Sequence, residues 1–156
     1  MIIVESGQRA ISTILGSCVA VCLWDRARMI GGMNHYLLPV WSGSAPGTPA
    51  FGNVAIPLLL DTMAALGCGA ADLQAWICGG ADITGDAGLF MVGRRNVEFA
   101  EGELSRTGIP VTGRDVGGVH GRKVFFCSRS GELTVARLGP AQAATSAPSL
   151  NPLKKG

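Results

Sequence analysis

The sequence predicts a single α/β domain in which a mixed β-sheet is flanked by helices, that is, a layered α/β sandwich. Short apolar, β-branched runs alternate with two segments of helical periodicity. The length of 156 residues suits one domain with a substantial core. Hydrophobic residues make up 47% of the chain and charged residues only 15%, which excludes a largely disordered protein.

Three strands are predicted in the N-terminal part of the chain. Ala10–Leu15 is apolar and β-branched, and it ends at Gly16-Ser17. Cys18–Trp24 is apolar on both faces, as expected of a central strand that is covered on both sides. Asp25–Arg28 is typical of a hairpin turn, so Met29–Pro39 should return as the neighbouring strand.

Two helices are predicted in the middle of the chain. The first extends from an N-cap at Asn53 to about Leu66, and its apolar residues recur at i, i+3, i+4 and i+7. The second begins at Arg94 or Arg95 and continues to Ser105, just before a Thr-Gly stop. These helices supply the apolar faces that should cover the sheet.

The other segments are predicted to be loops, further strands and a tail. Val40–Gly52 and Asp82–Leu89 lack periodicity and are expected to be loops. The further strands are Leu73–Cys78, Ile109–Val116 and a terminal hairpin of Lys123–Cys127 with Leu133–Arg137. From residue 139 onward no pattern remains, so the domain is expected to comprise residues 1–138, with a disordered tail at 139–156.

Composition excludes several classes of function. A net charge of +2 is too small for a nucleic-acid-binding protein. No apolar run approaches the roughly 18–20 residues of a membrane span, and no basic leader precedes an apolar block. The five cysteines are odd in number and include no CxxC pair, so neither a disulfide framework nor a metal site is expected. Reduced thiols and a cytoplasmic location fit this pattern.

One cysteine and one histidine stand out as candidates for chemistry. Cys18 follows a Gly-Ser break in an apolar segment, and His35 lies seventeen residues further on. A thiol is nucleophilic as the thiolate, and a neighbouring imidazole commonly takes its proton. The competing interpretation is that Cys18 is an ordinary core residue, because cysteine is among the most buried residue types.

Seven sequence blocks carry a resemblance to a known family. They are Leu15–Leu23, Gly31–Pro39, Gly79–Ala81, Gly93–Val97, Asp115–Gly118, Gly121–Phe126 and Ser130–Glu132. In order and spacing they resemble the chemoreceptor glutamine deamidases of bacterial chemotaxis, the CheD family. The resemblance covers about residues 2–137. The blocks around the cysteine and the histidine are specific when found together, whereas the glycine blocks alone are common turn signals.

The resemblance implies a CheD-like fold and hydrolysis of glutamine side-chain amides on chemoreceptors, without a metal or an organic cofactor. It assigns the nucleophile to Cys18, the base to His35 and a third role to a hydroxyl residue shortly before the cysteine. Ser12 and Thr13 are both candidates for that role. Strand alternation favours Ser12, because residues six apart along an unbroken strand share a face. A serine would depart from the family, in which threonine is better known here.

The implied reaction begins when the thiolate of Cys18 attacks the glutamine Cδ. His35 would hold the thiol ionised, protonate the departing ammonia and then activate water against the thioester. The hydroxyl of Ser12 or Thr13 would orient the imidazole. Gly16 and Ser17 would let backbone N–H groups approach the oxygen of the tetrahedral intermediate.

Two other functions remain open from the sequence. One is a thiol amidase or esterase with a different target. The other is a non-catalytic adaptor that binds receptors or the CheC phosphatase, for which an intact pair of Cys18 and His35 would be unnecessary. The expected protein partners are the cytoplasmic helices of chemoreceptors and, by resemblance, CheC.

The remaining candidate residues are expected to be structural. Cys22, Cys78 and Cys127 should be packing residues, whereas Cys68 follows a helix-stopping glycine and should be exposed. The second histidine, His120, lies in a glycine-dense turn and is expected to be an exposed loop residue.

Overall fold

The computed structural model describes residues 1–7, 9–83 and 91–139. Its strands are β1 (Ile2–Ser6), β2 (Ala10–Leu15), β3 (Val19–Asp25), β4 (Ile30–Asn34), β5 (Leu73–Gly79), β6 (Val111–Val116), β7 (Arg122–Cys127) and β8 (Leu133–Arg137). Its helices are α1 (Gly52–Ala65) and α2 (Val92–Thr107), with one 3₁₀ turn at Ala70–Asp72. Residues 84–89 of the second predicted loop and residues 140–156 of the predicted tail lie outside the described residues.

The strands form two sheets. The larger sheet has the order β1-β4-β3-β5-β6, in which only β5 and β6 pair in parallel. The smaller sheet has the order β2-β7-β8 and is antiparallel. The predicted mixed sheet in an α/β layered fold is therefore confirmed. Helices α1 and α2 cover one face of the larger sheet, and the smaller sheet covers its other face.

Strand β3 lies at the centre of this arrangement and contributes to both cores. Val19, Val21 and Leu23 face the helices and belong to the larger hydrophobic cluster. Ala20 and Cys22 face the smaller sheet and belong to the cluster between the two sheets. All five are at most 1% exposed. The prediction that this segment is a central strand covered on both sides is confirmed, since uniform apolarity suits a strand with two buried faces.

The short connection between β2 and β3 passes from one sheet to the other. Its backbone is hydrogen-bonded to the chain just after β5, where Ala81 N donates to Gly16 O (2.8 Å) and Gly80 N donates to Cys18 O (2.8 Å). Because β2 and β3 belong to different sheets, the alternation of side chains along β2 does not continue into β3.

Several local predictions differ from the structure. The N-cap of α1 is Phe51, and no side chain caps it. Asn53 lies inside the helix, where its amide accepts from Trp41 N (2.8 Å) and donates to Trp41 O (3.0 Å), which holds the preceding loop. Helix α2 begins at Val92, before the predicted Arg94. Strand β1 was not predicted from the sequence; it extends the larger sheet beside β4.

The chain after β4 is less regular than the sequence predicts. The strand ends at Asn34, and beyond it His35 N donates to Met1 O (2.8 Å), while isolated bridges are made at Tyr36 and Leu38. Neither described α-helix combines the length and apolarity needed to cross a bilayer.

Adjacent glycines on β4 explain how closely its neighbours pack. A Cβ at Gly31 would lie 2.8 Å from Phe126 Cε1 and from the backbone of Ser128. A Cβ at Gly32 would lie 2.8 Å from Val4 Cγ2 and 2.9 Å from Leu59 Cδ1. Each glycine therefore lets a different layer approach the strand.

We expect Gly31→Ala to lower the free energy of unfolding by about 1–3 kcal/mol, because the contacting Ser128 backbone cannot yield as a flexible side chain would. Urea titration followed by circular dichroism measures the change. The matched control is Gly102→Ala on the exposed side of α2, where a Cβ would meet nothing within 4 Å. The control should stabilise the protein by about 0.4–1 kcal/mol. Equal effects of the two substitutions would contradict this explanation.

Candidate active site

Backbone register brings Cys18 and His35 to one face of the larger sheet. Val19 and Tyr36 form an antiparallel bridge with both hydrogen bonds made, at 3.1 and 3.0 Å. Extending this register by one residue sets Ala20 opposite His35, so Cys18 and His35 are diagonal neighbours. Diagonal residues on one face lie within reach of long side chains. The side chain of Cys18 packs against the cluster between the two sheets.

A third residue reaches His35 from the smaller sheet. Thr13 Oγ1 lies 2.8 Å from His35 Nδ1, and the hydrogen bond is partly buried. Thr13 on β2 shares a face with Ile11 and Leu15, both of which are buried in the cluster between the sheets. Cys18, His35 and Thr13 therefore face the same inter-sheet region from two different sheets.

The structure does not bring the predicted Ser12 to this site. Ser12 is exposed and lies on the outer face of β2, where it pairs with the exposed Phe125. Alternation would place Ser12 on the face of Cys18 only if one unbroken strand joined them, whereas the chain changes sheets between these two residues. Thr13 consequently occupies the position beside the imidazole that strand alternation assigned to Ser12.

The contact with Thr13 also constrains the imidazole. If Nδ1 carries the proton and donates to Thr13 Oγ1, Nε2 keeps its lone pair and can accept a proton from a neighbouring thiol. Among the described side chains no hydrogen bond joins Cys18 and His35. Catalytic hydrogen bonds are often long before substrate binds, and they tighten in the complex.

Burial shifts the pKa values of the two groups in opposite directions, and each shift favours the neutral form. Burial raises the pKa of the Cys18 thiol, and a hydrogen bond from its own backbone N–H partly opposes this change. Burial lowers the pKa of His35, and the positive amino group of Met1 lowers it further. Both directions favour a neutral thiol and a neutral imidazole. Proton transfer from Cys18 would then accompany attack on a substrate.

Backbone donors lie next to the thiol. Within the described part of the chain, the N–H groups of Ser17 and Cys18 donate to no backbone carbonyl. Gly79 is required beside Cys18 for two reasons. A Cβ at this position would lie 2.1 Å from Cys18 O, and the φ of +109° is a backbone conformation that favours glycine. N–H groups that donate to no backbone carbonyl and lie beside a nucleophile can stabilise a negatively charged oxygen.

Comparison with known proteins identifies the family. A family model described as "CheD chemotactic sensory transduction" matches residues 37–137. A probable chemoreceptor glutamine deamidase CheD from Sulfurimonas denitrificans is 43% identical over 126 residues, which are 79% of this chain and 80% of the relative. A second, from Trichlorobacter lovleyi, is 38% identical over 135 residues, covering 86% of this chain and 84% of the relative. The chain belongs to the CheD family.

A third CheD relative, a probable chemoreceptor glutamine deamidase CheD 1 from Anaeromyxobacter dehalogenans, is 42% identical over 138 residues, or 88% of this chain and 80% of the relative. The matched family model begins after Thr13, Cys18 and His35. The grouping of these three side chains in this CheD protein is therefore supported by the strand register and by the hydrogen bond between His35 and Thr13, and not by the family match.

A cleft adjoins the candidate site on the helix side. It has a volume of about 650 Å³, and one of its lining residues is Ser17, which directly precedes the candidate nucleophile. Its lining includes Gly80 and Gly117 and the apolar side chains of Ile83 and Val97. The cleft can accept apolar groups of a partner next to Cys18.

The other cysteines are distributed as follows. Cys22 and Cys78 are buried, as predicted for packing residues. Cys68 is only 3% exposed, so the prediction that it is exposed is wrong; it is buried against the core on the helix side. Cys127 is half-buried, and hydrogen bonds from Ser130 lower the pKa of its thiol.

In the described ranges no group of three His, Cys, Asp or Glu residues is placed to hold a metal ion.

A buried arginine near the second histidine was missed by sequence analysis. Arg122 is fully buried, pairs with Asp115 Oδ1 at 2.5 Å and donates to the carbonyl oxygens of Asp115 and Gly117. It thereby fixes the glycine-dense turn in which His120 is exposed, as predicted. Alternation along β7 offers the only sequence signal, because Arg122 shares a face with Val124 and Phe126.

We expect Thr13→Val to change the tautomer of His35, because it removes the partner of Nδ1 while keeping the side-chain volume. The ¹⁵N chemical shifts of the imidazole should report an Nδ1–H tautomer in the wild-type protein and a shift toward Nε2–H in the variant. Ser12→Ala is the matched control and should leave the spectrum unchanged, since Ser12 is on the opposite face. A spectrum that responded to Ser12→Ala instead would contradict the assignment.

Proposed function

We propose that this chain deamidates glutamine side chains of chemoreceptors to glutamate, with Cys18 as the nucleophile. The observation that carries the proposal is the convergence of Cys18, His35 and Thr13 on one region between the two sheets. A thiol, an imidazole and a group that orients the imidazole are the parts of a nucleophilic triad. The printed names of the CheD relatives supply the substrate class.

The proposed reaction has two halves. In the first, Cys18 Sγ attacks the amide carbon Cδ of the glutamine while His35 Nε2 takes the thiol proton. The tetrahedral intermediate then collapses, the C–N bond breaks, and His35 returns the proton to the nitrogen so that ammonia leaves. In the second half, water attacks the thioester carbon while His35 takes its proton, the C–S bond breaks, and His35 returns the proton to Cys18 Sγ, so that glutamate and the free thiol are released.

Thr13 takes the orienting role in this proposal, in place of Ser12. Thr13 Oγ1 accepts a hydrogen bond from the Nδ1–H group of His35. This contact fixes the imidazole so that Nε2 faces the thiol and the substrate. A neutral hydroxyl is suited to a site in which burial already disfavours the charged imidazole. The Cys18 N–H, and with it the Ser17 N–H, would stabilise the oxyanion, and an oxyanion donor is typically worth about 3–4 kcal/mol.

The proposed substrate segment is a cytoplasmic helix of a chemoreceptor, and the proposed compartment is the cytoplasm. All five cysteines are free thiols, which fits a reducing compartment. The apolar cleft beside Ser17 would receive side chains that flank the target glutamine. The CheC phosphatase is a further proposed partner, by family resemblance, and co-purification of the two proteins would test that contact.

We expect Cys18→Ala to abolish deamidation of a receptor cytoplasmic fragment, because the alanine has no nucleophile. Mass spectrometry of the fragment measures the reaction, since each glutamine converted to glutamate adds about one dalton and fragment ions locate the site. Cys127→Ala is the matched control: it removes a half-buried thiol at the end of β7 in the smaller sheet and should leave turnover unchanged. Substantial turnover by Cys18→Ala would overturn the thiol mechanism. Wild-type protein that binds the fragment without altering its mass would instead favour the adaptor.

We expect the acid limb of the kcat/KM profile to lie below pH 6.5, the ordinary pKa of histidine. His35 must be neutral to accept the thiol proton, and burial lowers its pKa, so the active form persists to lower pH than for an exposed imidazole. Initial rates at several pH values with a subsaturating receptor fragment measure the profile. An acid limb above pH 6.5 would show that another group limits activity there.

A further inference from the structure

Asn96 is a buried polar residue whose contacts join the two halves of the site. It is fully buried on α2, and it aligns with the buried Ala100 and Leu104 at intervals of four residues. Its Nδ2 donates to Ser17 O (3.0 Å) and to Leu37 O (2.8 Å). The first acceptor immediately precedes Cys18, and the second follows His35 by two residues.

The orientation of this side-chain amide is determined by its partners. Both neighbours of Nδ2 are carbonyl oxygens, so a flipped amide would set oxygen against oxygen. Asn96 Oδ1 is buried and has no partner among the described residues. An unpaired buried acceptor costs free energy, so the favourable contribution of Asn96 comes from its two donors.

The bond to Ser17 O also determines where the N–H of Cys18 points. The Ser17 carbonyl and the Cys18 N–H belong to one planar trans peptide, in which the two groups point in opposite directions. Asn96 holds the carbonyl toward α2, so the N–H is directed away from α2, to the side of the thiol.

We propose that Asn96 is a positioning residue that orients the Cys18 N–H as the oxyanion donor and holds the Cys18 and His35 segments in register. This inference rests on the proposed deamidase function. The hydrogen bond at Ser17 O also polarises the shared peptide, which strengthens the Cys18 N–H as a donor. Thr13 orients the imidazole from the smaller sheet, whereas Asn96 acts on the backbone from the helix layer.

Two substitutions and one matched control test the proposal. Asn96→Ala removes both donors, and Asn96→Asp keeps the shape but cannot donate as a carboxylate. The control is Tyr36→Phe, which removes a hydrogen bond of 2.6 Å to the backbone carbonyl of Asn96 and leaves Nδ2 in place. All three variants lose buried hydrogen bonds in the same region. Urea titration of each variant measures the loss of stability, so that a change in kcat can be separated from a general loss of stability.

With a receptor fragment as substrate, kcat should fall about 10- to 100-fold in both Asn96 variants, the scale expected when a reacting group is misplaced. KM should change little, because Asn96 is buried and does not contact a bound protein. Tyr36→Phe should keep a kcat close to that of the wild-type protein. An unchanged kcat in a folded Asn96 variant, or an equal loss in Tyr36→Phe, would overturn the proposal.

A second measurement separates this inference from the proposed function. The pH dependence of Cys18 alkylation by iodoacetamide, followed by peptide mass mapping, needs no deamidase activity. The apparent pKa of Cys18 should shift upward in the Asn96 variants, because the thiolate loses its oriented N–H donor. If the wild-type protein is inactive on receptors but this shift occurs, the proposed function fails and the positioning role remains. A folded Asn96 variant with no shift overturns the positioning role.

Should neither Asn96 variant fold, the wild-type protein supplies the deciding measurement. The two Nδ2 protons of Asn96 should exchange slowly with solvent, and their resonances should move when Cys18 is alkylated. Fast exchange of these protons, or resonances that stay unchanged when Cys18 is alkylated, would overturn the proposal.

Discussion

The passage of the chain from one sheet to the other at Gly16–Cys18 is the constraint on which the site depends. The connection is held by Gly80 N and Ala81 N on one side and by Asn96 on the other. It places the cysteine at the beginning of the central strand, with its side chain toward the smaller sheet. The candidate nucleophile is therefore held by backbone hydrogen bonds on both sides, which suits preorganised catalysis.

Most of the fold could be predicted from local patterns, and the centre of the sheet most securely. A strand that is apolar on both faces must be covered on both faces, so β3 was identified correctly without any knowledge of its neighbours. Helix positions followed from periodicity, although the cap of α1 did not, because Asn53 uses its amide to hold Trp41 instead of the helix N-terminus. Strand β1 could not be predicted because its sequence does not indicate which strand it pairs with, and its extended structure depends on pairing with β4.

The candidate site was predicted in its residue types but not in its full geometry. Cys18 and His35 could be proposed from their motifs, and Thr13 was one of two alternatives. The choice between Ser12 and Thr13 required the sheet assignment of β2, which no local pattern contains. Likewise, the burial of Cys68 depends on packing against the core on the helix side rather than on the glycine that precedes it.

Because Thr13 belongs to the smaller sheet and His35 to the larger one, their hydrogen bond reports whether the two sheets are docked. The groups that pack the sheets together include Phe126 and the Gly31 backbone, where almost no free space remains. A partial opening of this interface would separate the imidazole from its orienting hydroxyl while leaving every strand intact within its own sheet. Loss of this hydrogen bond would therefore report separation of the two sheets, an event that the secondary structure within each sheet would not register.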